Sequence, residues 1–423
     1  MLYLNSFKHN YKCDLLHIED VSLLDIAVEV GTPFYCYSLN SICKNYREFA
    51  DNIPGSMICY AVKANPNIAI IKAIANMGGG ADVVSGGEIR RAMAAGVPVD
   101  KIVFSGIGKT REEIEFALEN NIYQINAESK EELELINQVA SSKGIKASVA
   151  IRVNPNIDAK TNDKITTGLK TNKFGIPEEY IDEIFAKDFS NINLLGISVH
   201  IGSQISNLNI FLDVIKKIKV IISRIEKLEH KILRIDLGGG LGITYANDDN
   251  IPSITEYTRL LRENICNLGY KIICEPGRAI VGNAGVLVTK VLYTKSNDVV
   301  KHVVVDAGMN DLIRPALYGS KHRIVPVKKN EDLPEEEVDV VGPICESDDV
   351  FAYKYKMQQV TSSDMLAICD VGAYGASMSS TYNSRLLIPE VLVNGNQFAI
   401  IRKRGSYEEM LSQDIMPNWE NFE

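Results

Sequence analysis

The chain has 423 residues, of which 46% are apolar and 23% charged, with a formal net charge of −9 and no block of lysine or arginine. This composition is that of a globular protein with a substantial core, in roughly two or three domains by length. The acidity argues against a nucleic-acid partner, whose phosphates require a basic surface. No run approaches the roughly 18 apolar residues of a membrane span, and Met1–Asn10 has no secretory pattern, so a cytoplasmic location is expected. The eight cysteines are scattered without CxxC and the six histidines show no HExxH, so reduced, mostly buried thiols and no metal are expected.

In chain order, Phe34–Ser38 reads as a strand that could join a later domain. Eight short runs, apolar on both faces, then follow: Met57–Val62, Ala81–Ser85, Lys101–Ser105, Ile122–Asn126, Ala147–Val153, Leu194–His200, Leu233–Leu237 and Lys271–Glu275. Helical patterns separate them at Ile68–Met77, Gly87–Ala95, Thr110–Asn120, Ser129–Ser142, Glu178–Ala186, Leu208–Glu229 and Ser253–Leu268. Ser129-Lys-Glu-Glu is an N-cap followed by a carboxylate three positions on. Regular βα alternation predicts an α/β fold with a (β/α)8 TIM barrel, with an open doubly wound sheet as the alternative. Residues 154–177 form a long polar connection and read as a lid. Beyond residue 285 the pattern turns to strands with short turns, including a hairpin signal at Asn394-Gly395. The expected division is therefore an N-terminal segment 1–38 that joins the later β-domain, a barrel at 39–285 and a C-terminal β-rich, sandwich- or barrel-like domain at 286–423.

Barrel enzymes carry their chemistry at the carboxyl ends of the strands. Lys63 follows strand one, Asp82 lies on strand two and Arg152 on strand five. His200 and Ser203 follow strand six, Gly238-Gly239-Gly240 strand seven, and Glu275-Pro276-Gly277-Arg278 strand eight. A desolvated lysine can form a Schiff base, whereas an ordinary strand-end lysine is simply solvated. A glycine run frees backbone N–H groups for phosphate, above all before a helix, although tight turns also need glycine. Glu275, inside the mouth, needs a partner. A protonated pyridine is one, and an ion pair with Arg278 or Arg152 is the alternative. His200 could stack on a flat cofactor or be a satisfied core histidine.

Tyr60-Ala-Val-Lys-Ala-Asn65, His200-Ile-Gly-Ser203, Gly238-Gly-Gly240 and Glu275-Pro-Gly-Arg278, in this order, resemble the alanine-racemase-fold decarboxylases that use pyridoxal 5'-phosphate, a group that includes ornithine, arginine and diaminopimelate decarboxylases. The resemblance spans nearly the whole chain. It implies a cofactor-binding barrel, a β-domain and a head-to-tail homodimer with two shared sites. It implies that Lys63 holds the cofactor covalently, Glu275 binds the pyridine nitrogen and His200 stacks on the ring. Ser203, Gly239, the turn Glu275-Pro276-Gly277-Arg278 and Tyr374 would hold the phosphate, and Asp82 and Arg152 would line the cofactor.

Asp306–Tyr318 (DAGMNDLIRPALY), Gly342–Ser347 (GPICES), Gly372–Ser380 (GAYGASMSS) and Tyr382-Asn-Ser-Arg385 narrow the resemblance to the diaminopimelate decarboxylases. It implies decarboxylation of meso-2,6-diaminopimelate at its D-centre to L-lysine and CO2, the last step of lysine biosynthesis. The implied substrate contacts are Arg278, Arg314, Tyr318, Glu346 and Tyr374, with Cys345 and Glu346 reaching the partner's site. The substrate's distal amino-acid group suits this set, since arginines grip a carboxylate through paired N–H groups and Glu346 can take the ammonium. An ornithine-type substrate has only a distal ammonium, which two arginines would repel. The alternative for Arg314 is a surface ion pair. Cys345 is the candidate proton donor to Cα, with Lys63 its competitor and a buried structural cysteine the alternative. The rival activities are another basic amino-acid decarboxylase of this fold (ornithine, arginine, lysine or carboxynorspermidine), a racemase, or a cofactor-binding regulatory protein. Two departures stand out: Asp348 replaces the glycine usual after Cys-Glu-Ser, and Asn162 replaces a lid histidine.

Overall fold

The structure, a computed structural model, describes residues 10–162, 164–245 and 251–419. It divides into two compact units. One is Leu39–Ala284; the other joins the described parts of Met1–Ser38 and Gly285–Glu423.

In the first unit eight parallel strands close on themselves. They are Met57–Ala61, Gly80–Val83, Ile102–Phe104, Gln124–Ala127, Ala147–Asn154, Ile192–Ser198, Arg234–Asp236 and Lys271–Cys274, strands one to eight in chain order. Strand eight pairs back onto strand one through Ile273–Met57 and Cys274–Ile58, so the sheet is a barrel rather than an open doubly wound sheet. Every residue of strands one to four is buried, so those segments are mostly apolar on both faces, the buried Asp82, Gln124 and Asn126 excepted.

The helices start where short polar side chains can accept an orphan N–H. Ser85, Thr110, Ser129, Asn207 and Ser253 each do so, and Thr110–Glu113 and Ser253–Glu256 close reciprocal capping boxes. After Ser129 the carboxylate three positions on turns elsewhere, and Glu132 Oε1 accepts from the buried Lys109 ammonium at 2.7 Å. One helix was not foreseen from sequence. Leu39–Asn52 precedes strand one and packs against Ile68–Asn76 and Ile254–Asn264, and against the short helix Arg278–Val281 and the 3-10 turn Gly282–Ala284 that follow strand eight. Among the described residues no helix is long and apolar enough to cross a membrane.

The second unit is a mostly antiparallel sheet. Its main path runs Val350–Gln358, Glu335–Val341, Lys301–Val305, Gly285–Ser296, Phe34–Ser38, Glu390–Asn394 and Gln397–Arg402, with Met365–Cys369 and Ile324–Pro326 branching from Gly285–Ser296. Phe34–Ser38 lies antiparallel to Gly285–Ser296 and parallel to Glu390–Asn394. Its core gathers Leu16, Ile18, Leu23, Phe34, Val286, Val288, Val391 and Val393. The last hairpin turns through Gly395-Asn396, one residue later than the sequence signal, because Asn394 still pairs with Gln397 and Gly395 takes the left-handed φ of +61°.

Candidate active site

Strand one ends in a 3-10 turn, Val62–Ala64, which brings Lys63 to the carboxyl end of the barrel. Tyr60 Oη donates to the Asn65 carbonyl at 3.0 Å, and Ala61 N–H to the Pro276 carbonyl at 3.1 Å, so the turns after strands one and eight are tied. A Cβ on Gly277 would press on those of Ala61 and Ala64, each at 3.0 Å, which explains glycine there. The Lys63 ammonium is paired with Asp82 Oδ2 on strand two. Asp82 is fully buried, and its Oδ1 has no hydrogen-bond partner among the described residues.

Glu275 is buried past the end of strand eight. Neither arginine offered by the sequence pairs with it. Arg278 donates through Nε and Nη2 to Ser203 Oγ at 3.3 and 3.0 Å and through Nη1 to Tyr245 Oη. Arg152 donates to Glu128 Oε1 at 2.7 Å, both side chains being buried. Desolvation therefore pushes the Glu275 carboxyl well above the usual carboxylate range, and the charges of Asp236 and Asp82 push it further while Lys63 opposes them.

His200, half-buried after strand six, accepts the Gly239 N–H on Nδ1 at 3.2 Å, which leaves the ring proton on Nε2. Desolvation, with Arg152 and Lys63 nearby, holds its pKa well below the ordinary value, so the ring is neutral. Gly238 and Gly240 have φ of +62° and +112°, and a side chain on Gly239 would run into the Glu275 carbonyl. The three glycines thus form a bare turn between strands six and eight. No helix follows at once, contrary to the phosphate pattern considered from sequence; the next described helix is Ile254–Asn264.

The long connection after strand five is stitched onto the end of strand six. Thr167 N–H donates to Ile201 O at 3.0 Å and its hydroxyl to His200 O at 3.0 Å, while Ser203 N–H donates to Ile165 O at 3.2 Å. Asn162 makes a local turn, accepting from Lys164 N–H at 2.9 Å; Asp163 lies outside the described residues. Glu128 joins this segment to the barrel, accepting from Gly106 N–H at 2.9 Å and Gly175 N–H at 3.1 Å besides Arg152.

Several residues of the mouth were not singled out from sequence. Glu128 is one. A buried polar cluster is another: Gln124 donates to Asn126 Oδ1 at 2.8 Å, Asn126 donates to Asp236 Oδ2 at 2.8 Å and Ser105 Oγ at 3.0 Å, and Ser105 reaches Glu275 Oε1 at 3.4 Å. The available signal was polar residues at alternate positions of otherwise apolar strands, as in Gln124-Ile125-Asn126.

In the second unit Arg314 is buried at the start of the helix Arg314–Tyr318, so it is not a surface ion pair. Its Nη2 donates to Ser320 Oγ at 3.0 Å and its guanidinium lies 5.3 Å from the Tyr318 ring centroid. Tyr374 is half-buried with a left-handed φ of +55°. Cys345 and Glu346 are exposed, which removes the buried-cysteine alternative. Tyr382 Oη donates to Glu346 Oε2 at 3.1 Å.

Residues 39–282 match the family model described as the pyridoxal-dependent decarboxylase, pyridoxal binding domain. The diaminopimelate decarboxylase of Zymomonas mobilis is 43% identical over 412 residues, covering 96% of this chain and 97% of that protein. The crystal structure of diaminopimelate decarboxylase from M. jannaschii in complex with L-lysine superposes with a TM-score of 0.90 at 38% identity, covering 96% of this chain and 97% of that one. A lysine/ornithine decarboxylase from Vibrio vulnificus, at 21% identity and a TM-score of 0.77, shares the fold. The chain belongs to the pyridoxal-dependent decarboxylases and, within them, to the diaminopimelate decarboxylase family.

Proposed function

We propose that the chain removes the carboxylate from the D-centre of meso-diaminopimelate, releasing CO2 and L-lysine, with pyridoxal 5'-phosphate held at the barrel mouth by Lys63. When bound, that cofactor supplies an electron-withdrawing ring that takes up the electron pair left by the departing carboxylate. The observation that carries the reading is the pair of buried carboxyls around Lys63. Asp82 is ion-paired to it with one oxygen unsatisfied, and Glu275 is buried without a guanidinium. That surplus of carboxyl groups fits a protonated pyridine nitrogen.

The roles follow from the chemistry of each group. Lys63 is the nucleophile that holds the cofactor, and Asp82 orients its ammonium. Glu275 accepts from the pyridine nitrogen. His200, neutral and fixed by Gly239, offers a flat face to the ring without adding positive charge. The bare turn at Gly239, the Ser203 hydroxyl, the backbone of Pro276, Gly277 and Arg278, and Tyr374 serve the phosphate. Arg152 lines the cofactor, braced by Glu128.

For substrate, Arg278, Arg314 and Tyr318 bind carboxylate, Glu346 takes the distal ammonium and Tyr374 contributes a hydroxyl. Exposure of Cys345 and Glu346 in the single chain supports their completing a second copy's site in a head-to-tail homodimer. Cys345 delivers the proton to Cα. A soluble biosynthetic enzyme of this kind works in the cytoplasm. Purified protein loaded with the cofactor should release CO2 and lysine from meso-diaminopimelate; release from ornithine instead, with none from diaminopimelate above a cofactor-only control, overturns the substrate assignment. Full turnover by Cys345→Ala with unchanged product stereochemistry would remove the role of that thiol.

A further inference from the structure

Three turns of the second unit are bolted together by side chains. Asp349 is buried and accepts the N–H of Ile344 on one oxygen at 2.7 Å and that of Met309 on the other at 2.6 Å. Its own backbone closes the turn: the Gly342 N–H donates to the Asp349 carbonyl at 2.9 Å, and the Asp349 N–H to the Glu346 carbonyl at 3.1 Å. A Cβ on Gly342 would collide with the Asp349 carboxylate, so glycine is required for the carboxylate to tuck beneath the turn. The third turn supplies Asn383, whose Oδ1 accepts the Cys345 N–H at 2.9 Å, and Tyr382, whose hydroxyl reaches Glu346. Ser380 N–H donates to Asn310 O at 2.8 Å and Arg385 Nη2 to Asp306 O at 2.6 Å, so this turn is fixed to the first as well.

The backbone of the third turn is unusual. Asn383 and Ser384 both lie in the left-handed region, with φ of +54° and +53°. Two successive non-glycine residues there cost free energy unless the surroundings over-determine them, and such residues gather where function needs a fixed geometry. Glycine would relieve that cost at position 383 but could not accept the Cys345 N–H. Asparagine tolerates the conformation and carries the acceptor.

We propose that Asn383 is a positioning residue for Cys345, and Asp349 for the Cys345-Glu346 turn: together they set the direction from which the thiol approaches the substrate's Cα. The proposal rests on the reading of Cys345 as proton donor. Its chemistry is a single transfer, S–H to the carbon that has lost CO2, with the thiolate regaining its proton from water.

The test compares Asn383→Gly, Asn383→Asp and Asp349→Asn with the unaltered enzyme turning over diaminopimelate in deuterium oxide. For Asn383→Gly the expected result is a fall in kcat of about tenfold with KM within about twofold. The lysine should carry deuterium in both configurations at the new centre, and the variant should melt no lower than the parent, because glycine removes backbone strain. Asn383→Asp, which keeps an acceptor of the same size, should restore a single configuration. Asp349→Asn, which turns an amide against one of two N–H donors, should mix the configurations as Asn383→Gly does. A single parental configuration and parental kcat in both Asn383→Gly and Asp349→Asn overturn the proposal, as does an Asn383→Asp no better than Asn383→Gly. Cys345→Ser is the control. If it too keeps the parental kcat and configuration, the donor reading itself has failed; if it loses them while Asn383→Gly does not, only the positioning claim falls.

Discussion

Glu128 should be the costliest single side chain to remove from the barrel mouth. In Glu128→Ala the Arg152 guanidinium loses its 2.7 Å carboxylate while both residues lie under 9% exposed, and the N–H groups of Gly106 and Gly175 lose their acceptor. Breaking a buried ion pair from one side costs about 3–5 kcal/mol. Each orphaned N–H adds about 1–3 kcal/mol when water cannot reach it. These terms overlap, and the cavity left by the side chain can admit water to the mouth. An overall loss of about 5 kcal/mol is therefore expected, at the low end of the sum. Calorimetry on the cofactor-free protein should show the barrel transition falling well below the parent's. Glu128→Gln, which keeps an oxygen for Arg152 but turns an amide toward one N–H, should fall between. A Glu128→Ala protein whose barrel melts with the parent's would refute the reasoning that this carboxylate is the brace of Arg152 and of the connection at Gly175.

Glu275→Gln should stabilise the cofactor-free barrel at pH 7 by about 1–2 kcal/mol while abolishing efficient turnover, since a functional buried carboxyl is held at a cost. The sign follows from its raised folded pKa: the folded state binds the proton more tightly than the unfolded, so this group's contribution falls as pH rises above the unfolded value, and denaturant titrations at several pH values should see that slope vanish in the variant. His200 works in the opposite sense. Its lowered folded pKa means that the unfolded chain takes up a proton first, so stability should drop as pH falls through about 6.5, and His200→Gln should flatten that limb. Borohydride reduction of the loaded protein should leave a pyridoxyl adduct on the peptide containing Lys63, read by mass spectrometry; an adduct on Lys109 or any other lysine would contradict the assignment. Arg314→Lys should raise KM for diaminopimelate by about tenfold or more with a smaller change in kcat, because a lysine cannot reproduce the paired N–H grip on a carboxylate.

The barrel was legible because buried parallel strands leave an apolar run that polar helices interrupt, and Met57–Ala61 or Lys271–Cys274 can be read directly. Leu39–Asn52 was not, since nothing in its own residues says that a helix ahead of strand one will pack against the short helix after strand eight. The positions of Lys63, His200 and Glu275 at strand ends were legible for the same reason as the strands. Their partners were not. Arg278 and Arg152 were each a plausible mate for Glu275, and only the fold sends one to Ser203 and Tyr245 and the other to Glu128. Asp349 illustrates a further limit. In sequence it stood out only as a neighbour of Asp348, the unexpected residue after Cys345-Glu346-Ser347, whereas in space it holds two backbone N–H groups from turns 35 residues apart, Met309 and Ile344.

The reaction proposed for this barrel mouth removes one defined carboxylate. Meso-diaminopimelate labelled with 13C in the carboxylate of its D-centre tests it most directly. The label should leave entirely as CO2, and the product should be unlabelled L-lysine. Label retained in the lysine, or no CO2 above that released by free cofactor, would contradict it.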